Sequence, residues 1–410
     1  MSDTKRLSYS IDPKSVIALV IGLLIIGVVI MGVVRFFSSI PAIEATKSAE
    51  NIVLPGQFSF TQPERGESAV GSDKFGVIAS SPDQTPIPIA SVAKIMTAYI
   101  VLKAHPLKPG EDGPSLKITE QDVADYEFGV KNNYSVLKVA LGESLTERQL
   151  LQGLMLPSGN NIANTLGRWI AGSDEAFVAK MNETAKSLGM TNTHYADASG
   201  AEEATVSNAV DQIKIAQAAM QDPVFREIVV MPQATLPVAG KVFNVNSMLG
   251  KHGIVGIKTG SGVIAKGCFV SAAPLVNGTE KHYIIGAVLG SEKANQNLKS
   301  ALDANVQILD EARPQFKLNT LTPPANGYGK ITTPWGSQSD LQLSRPIQVF
   351  GYPGMKVPYS IKPKAINKFP IAPGTEVATL TIQMGEKPMD FPMQNKEQID
   401  APGPLWKVIR

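Results

Sequence analysis

The sequence predicts an α/β (α+β) protein: a helix-rich domain on a largely antiparallel sheet, then a small all-β domain, with one N-terminal transmembrane helix ahead of both. Three observations carry this. Val16 to Val34 is an unbroken run of apolar residues and glycine with no charge. Residues 59–312 alternate helical and strand patterns, with Asn277-Gly278 marking a hairpin between two late strands. Thirteen of the 29 prolines fall between Pro323 and Pro404, which excludes long helices there and leaves short strands broken by turns.

Taken in order, residues 1–14 form a polar N-terminus and 15–37 the span. At about 1.5 Å per residue, the Val16–Val34 run approaches the ~30 Å hydrocarbon thickness of a bilayer. A cleaved leader has a shorter apolar region of ~7–15 residues followed by a small-residue cleavage site. The Arg35-Phe36-Phe37-Ser38 sequence offers no such site, so an uncleaved anchor is expected. Lys5, Arg6 and Lys14 precede the span while Arg35 and Lys47 follow it, a mild bias for the N-terminus inside. Residues 38–58 mix Ser, Pro, Ala and single charges without periodicity and read as a linker.

In 59–312, Ser91 to Lys103 reads as a helix with Ile95, Ala98, Tyr99 and Leu102 on one side, stopped by Pro106. Ser144-Leu145-Thr146-Glu147 reads as a capping box for a helix running to about Leu156, which leaves Ser158 in the loop beyond. A helix over 174–188 is capped by Ser173 and turns Phe177, Val178, Met181 and Ala185 inward; another follows Ser207. Ile254–Lys258, Cys268–Val276 and Tyr283–Leu289 read as strands, and 293–312 as a final helix. Residues 313–410 form the β-rich domain, whose clearest alternation sets Leu380, Ile382 and Met384 against Thr379, Thr381 and Gln383.

A net charge of +2 without a basic cluster gives no support for nucleic acid as a partner. The single Cys268 excludes an intrachain disulfide, and its apolar strand setting marks a buried structural thiol. His105, His194, His252 and His282 have no metal-ligand spacing, so no metal or cofactor is expected.

Three strings remain: Ser91-Val92-Ala93-Lys94, Ser158-Gly159-Asn160 and Lys258-Thr259-Gly260. The first type is weak alone, since Ser2 to Lys5 and Ser135 to Lys138 satisfy it too. Ser158, however, is the only serine followed two places on by asparagine, and Lys258 opens the only K-T-G. Their conjunction matches the S-x-x-K, S-x-N and K-T-G set of serine acyl-transferases. Serine needs a base within hydrogen-bond reach, and a three-residue helical spacing puts Ser91 and Lys94 on one face. Lys94 serves only when neutral, a state that burial and a second cation, Lys258, favour. Ser158 suits a proton relay and Asn160 a bond to a substrate amide. Lys258 and Thr259, expected at a strand end, suit the grip of a carboxylate, with Gly260 letting a substrate backbone come close. Backbone N–H groups at Ser91 and Ser261 suit an oxyanion hole.

With these strings, Phe177-Val178-Ala179-Lys180-Met181-Asn182, Leu188-Gly189-Met190-Thr191, Asn244-Val245-Asn246 and Gly256-Ile257-Lys258-Thr259-Gly260 give a chain that resembles the serine-type D-alanyl-D-alanine carboxypeptidases. These are the low-molecular-mass penicillin-binding proteins of the peptidase S11 family. The resemblance covers about 60–312 and implies a β-lactamase/transpeptidase-like fold. It implies that Ser91 attacks the penultimate D-Ala carbonyl of a peptidoglycan stem peptide, that terminal D-Ala leaves, and that β-lactams acylate the same serine. It also implies a role in cell-wall synthesis and cell shape, with the catalytic domain on the extracytoplasmic side of the cell membrane and residues 16–34 in the bilayer. Asn161 stands where the family often has Asp, Ser261 where a larger residue is common, and no arginine follows the last strand around Lys293–Asn297. The Ala401-Pro402-Gly403-Pro404-Leu405-Trp406 segment is unsuited to an amphipathic membrane helix.

A class A β-lactamase shares the strings, but no E-x-x-L-N pattern accompanies Glu202 and Glu203. A D,D-endopeptidase or transpeptidase would use the same residues, and a membrane-tethered scaffold on a degenerate fold would have lost one of them. The strings separate neither endopeptidase from carboxypeptidase nor one oligomeric state from another.

Overall fold

The computed structural model describes residues 12–278, 280–384 and 388–410. Contacts divide the chain into two compact units, Gly56–Lys317 and a second made of Met1–Pro55 with Leu318–Arg410.

The first unit is built on a five-stranded sheet in the spatial order Gly256–Gly262, Lys266–Asn277, Glu280–Ser291, Glu67–Ser72, Gly76–Ser80. Every neighbouring pair is antiparallel. Helices cover both faces. Ile213, from the helix Ala209–Met220, packs on Gly71, and Leu309, from Asn297–Ala312, packs on Gly286, which pairs with the adjacent Val70 on the opposite side of the sheet. Buried Asn305 ties the second helix down by accepting from the Ser271 hydroxyl and donating to the Phe269 carbonyl at 3.0 Å.

The helix expected over Ser91–Lys103 is a short 3-10 turn, Ala90–Ala93, running into the α-helix Lys94–Ala104. It is not one-sided as expected: Lys94 to Ala98 and Ile100 to Leu102 are all buried. A helix in the middle of a helical layer has neighbours all round, so its sequence carries no polar stripe. The capping box also sits elsewhere. Thr146 and Gln149 form it and open the helix Glu147–Met155, while Ser144 lies in a short strand paired with Ser115–Lys117. The helix expected over 174–188 is Asp174–Ser187, capped by the Ser173 hydroxyl accepting from the Ala176 N–H, with Phe177, Met181 and Ala185 buried. Two helices not expected, Glu120–Lys131 and Asn160–Ala171, are cross-braced by Arg168, which donates to Asp122 at 2.8 Å and Asp125 at 2.7 Å.

The K-T-G string does not end its strand. Pairing continues through Ser261 with Gly267 and Gly262 with Lys266, so Lys258-Thr259-Gly260 lies in the middle of an edge strand. The Gly-Ser-Gly run that reads as a stop is tolerated because edge strands demand little side-chain packing.

In the second unit, the helix Pro13–Phe37 opens with Asp12 as N-cap and Pro13 in its first turn. Lys5 and Arg6, on which the expected orientation partly rests, lie outside the described residues. The span is the one described helix long and apolar enough to cross a membrane. Residues 38–58, expected as a linker, instead contain two strands that belong to a seven-stranded sheet. Glu44–Lys47 pairs with Gly329–Thr332 at one end of the strand order, and Asn51–Val53 pairs with Lys356–Pro358 at the other. Between them run Gln338–Leu343, Pro388–Asn395 and Glu376–Gln383, over a core that includes Ile52, Ile331, Leu341, Val357, Leu380 and Ile382. Strands of three or four residues are too short to show alternation, and their partners lie some 300 residues away.

Candidate active site

Local backbone geometry brings Ser91 and Lys94 together. Ala90 adopts φ +48°, a left-handed conformation uncommon for a residue with a β-carbon, and the chain then enters the Ala90–Ala93 turn. Lys94 is fully buried and places Nζ 2.8 Å from Ser91 Oγ. Its other two partners are Asn160 Oδ1 at 2.7 Å and the Ser199 carbonyl at 2.9 Å. Two of these three can only accept, and the serine hydroxyl can do either. A neutral amine, with two N–H bonds and one lone pair, satisfies the set completely when Ser91 donates its proton to Nζ. Burial holds the Lys94 ammonium well below its ordinary range, the charge of Lys258 adds to the effect, and Asp197 works against it.

The Ser199 carbonyl comes from a segment that the three strings do not include. Asp197 Oδ2 accepts from the backbone N–H groups of Ser199 at 3.0 Å and Ala201 at 2.9 Å and from the Ser199 hydroxyl at 2.6 Å. Its Oδ1 accepts from Thr205 Oγ1 at 2.6 Å, and Thr97 on the central helix donates to the Ala198 carbonyl at 2.6 Å. Gly200 closes the segment at φ +80°, where a β-carbon would lie 1.8 Å from the Ala90 carbonyl oxygen. The signal available in the sequence is Asp197-Ala198-Ser199-Gly200, an Asx-turn pattern ending in a residue free to take positive φ.

Lys258 is also buried; its ammonium is pushed down to about 7 by burial, and it donates to the Thr259 carbonyl at 3.0 Å. Gly260 corrects an expectation. The space left by its missing β-carbon is filled by the Ile89 carbonyl, 2.9 Å away, and by the N–H groups of Ser91 and Val92, each at 3.2 Å. The close approach it permits is thus to the backbone carrying Ser91, and the next residue, Ser261, lines the same cleft as Ser91.

Asn160 begins a helix instead of sitting in a loop, and its N–H donates to the Ser135 carbonyl at 2.8 Å. Asn161 exchanges two 2.9 Å hydrogen bonds with the backbone of Leu137. An amide both donates and accepts there, which a carboxylate cannot do. Ser158 sits at φ +66° with its hydroxyl buried and no hydrogen-bond partner among the described residues. The structure therefore does not bond it to Lys94 or Lys258. Ser91, Asn160 and Ser261 line an open cleft of about 440 Å³, together with Tyr134, Gly200 and Glu202. Val263 and Ile264, at the hairpin tip beyond the K-T-G strand, form part of its wall. Cys268 is buried, its thiol pushed up to about 12, which leaves it unreactive.

A family model for D-alanyl-D-alanine carboxypeptidase matches residues 69–292, more than half of the chain. The chain belongs to the D-alanyl-D-alanine carboxypeptidase family. As an enzyme it is a serine-type D-Ala-D-Ala carboxypeptidase, a hydrolase of peptidoglycan peptides. D-alanyl-D-alanine carboxypeptidase DacF of Bacillus subtilis is 28% identical over 326 residues, 77% of this carboxypeptidase and 80% of the relative. The D-alanyl-D-alanine carboxypeptidase of Streptomyces sp. strain K15 is 36% identical over 218 residues, 49% and 72% of the two chains. The solved Streptomyces K15 DD-transpeptidase superposes with a TM-score of 0.53 at 29% identity, covering 62% of this carboxypeptidase and 98% of that chain. The penicillin-binding, transpeptidase-like fold implied by the family resemblance is therefore the observed one.

Proposed function

We propose that Ser91 is the nucleophile and Lys94 its base in removal of the terminal D-alanine from peptidoglycan stem pentapeptides. The observation that carries this is the 2.8 Å contact between Ser91 Oγ and Nζ of the fully buried Lys94, whose burial disfavours the ammonium. Ser91 Oγ attacks the penultimate D-Ala carbonyl and passes its proton to Lys94 Nζ. The N–H groups of Ser91 and Ser261 hold the oxyanion, an arrangement in which each donor typically contributes about 2.7–4 kcal/mol. Lys258 and Thr259 hold the terminal carboxylate, and the side-chain Nδ2 of Asn160, whose Oδ1 is held by Lys94, donates to the substrate amide carbonyl. The proton returns through the Ser158 hydroxyl to the departing nitrogen, the C–N bond breaks, and D-alanine leaves. Water then attacks the ester, with Lys94 again taking a proton, and frees Ser91. A β-lactam forms an ester at the same hydroxyl, its ring opening as the C–N bond breaks and keeping the amine within the adduct.

The likeness to a DD-transpeptidase supports a second outcome at the ester, attack by an amine instead of water. Residues 15–37 hold the chain in the cell membrane with 1–14 inside and the catalytic unit on the extracytoplasmic side, where peptidoglycan lies. Mass spectrometry of a stem pentapeptide and a cross-linked muropeptide, incubated with residues 38–410, tests the reading. Loss of one D-alanine from the pentapeptide, abolished in Ser91→Ala, is the expected result. Cleavage of the cross-link alone assigns an endopeptidase, and folded protein that changes neither substrate overturns the proposal.

A further inference from the structure

The helix Pro404–Ile409 packs on the anchor helix within the second unit, at a depth that the anchor sequence fixes. Gly32 is the one buried residue of Pro13–Phe37, and a β-carbon there would lie 3.0 Å from Val408 Cγ1. Gly32 belongs to the uncharged run, about five residues or ~7.5 Å before the helix ends. Arg410 then caps that end. Its guanidinium donates to the carbonyls of Arg35 and Ser38, each at 2.7 Å, and of Ser39 at 3.1 Å, at and just beyond the helix terminus. Lys407 lies 5.3 Å over the Phe36 ring. The remaining side chains are apolar and uncovered: Leu405 is 72% exposed, Ile409 64% and Phe37 81%. Trp406 stacks edge-on against Trp335 at 5.4 Å, and Trp335 donates to the Asp400 carbonyl at 2.8 Å, which fixes the helix to the β-rich fold. A short helix forms here despite the proline because Pro404 stands in its first turn, where the missing N–H is harmless.

We propose that residues 404–410 form a collar seated in the headgroup and upper acyl layer of the bilayer. Leu405, Ile409 and Phe37 enter the acyl boundary, while Arg35, Lys407 and Arg410 lie at the level of lipid phosphates. This rests on the anchor reading given above. The occupant is lipid because the collar grips the span inside its apolar run, a depth at which exposed Leu and Ile face acyl chains. The collar holds the β-rich fold directly against the bilayer surface and removes the free linker expected between them.

The test uses full-length protein in nanodiscs of phosphatidylcholine with phosphatidylglycerol, carrying an environment-sensitive fluorophore at Ile409→Cys or, separately, at Leu24→Cys. Buried Cys268 leaves the introduced thiol as the labelling site. Blue-shifted emission at both positions, quenched at 409 by shallow spin-labelled lipids and at 24 by deep ones, is the expected result. A dry position 24 with a water-exposed position 409 overturns the collar and leaves the anchor standing. Both positions in water overturns the anchor reading and the collar with it.

Discussion

Replacing Lys94 with alanine will lower the second-order rate of acylation by benzylpenicillin by about 10²–10⁴-fold, the usual contribution of a positioned base. Among the described residues, Lys94 Nζ is the basic group hydrogen-bonded to Ser91 Oγ, at 2.8 Å. The pH profile of the wild-type rate supplies the internal check. Lys94 works only when neutral and its ammonium is depressed well below 10.5, so the rate climbs as pH rises through that lowered value. Lys258 must keep its charge to hold a carboxylate, so loss of that charge as pH passes about 7 acts to lower the rate. Lys258→Arg moves only this second limb, upward, since a guanidinium does not titrate there. Stability responds with the opposite ordering to that of a paired lysine. The unfolded chain binds a proton that buried Lys94 lacks between the folded and unfolded pKa values. The folded state therefore loses stability as pH falls through that window, by about 1.4 kcal/mol per pH unit at most. Stopped-flow acylation from pH 5 to 10 on the three proteins reads this. A Lys94→Ala rate within a few-fold of wild type would mean that another base serves Ser91.

The second large effect is expected at Gly200, which has no side chain of its own to act in the cleft it lines. Alanine there takes a left-handed conformation, at about 1–2 kcal/mol, and drives its β-carbon into the Ala90 carbonyl oxygen. Overpacking adds about 1–3 kcal/mol. Because the backbone cannot yield locally, the Asp197–Gly200 segment separates from the Ala90–Ala93 turn and takes the Ser199 carbonyl away from Lys94. Urea unfolding is expected to show a loss of about 2–5 kcal/mol, with acylation impaired in whatever folded protein remains. Unchanged stability and acylation would show that the two segments part without consequence. Gly189→Ala is the matched control, since its φ is +68° but nothing lies within 4 Å of its β-carbon position.

Gly200 also marks where the sequence stopped being legible. Ser91, Lys94, Asn160 and Lys258 were visible because each sits in a string whose spacing is dictated by chemistry, and the structure brings all four to one place. Ser199 acts through its backbone carbonyl, which every residue type offers, so no side chain announces it. Gly260 has a chemical neighbour in the sequence, Lys258, which made a substrate role attractive; only the fold reveals that its space belongs to Ser91. Long elements with strong periodicity, such as Asp174–Ser187 and the anchor helix, were readable from local pattern. The strands Glu44–Lys47 and Asn51–Val53 were not, because what stabilises them is pairing with residues far along the chain. The short helix Pro404–Ile409 gains its order from the anchor and from Trp335, again through distant contacts.

The identity of the acylated residue tests the central claim most directly. Protein quenched in acid within the first turnover of a stem pentapeptide, and separately after benzylpenicillin, is digested and mapped by tandem mass spectrometry. The account predicts an ester on Ser91 in both samples, carrying the peptide less one D-alanine in the first and the opened lactam in the second. An adduct on Ser158 or any other residue, or turnover of pentapeptide with no covalent intermediate under conditions that trap the penicillin ester, would contradict it.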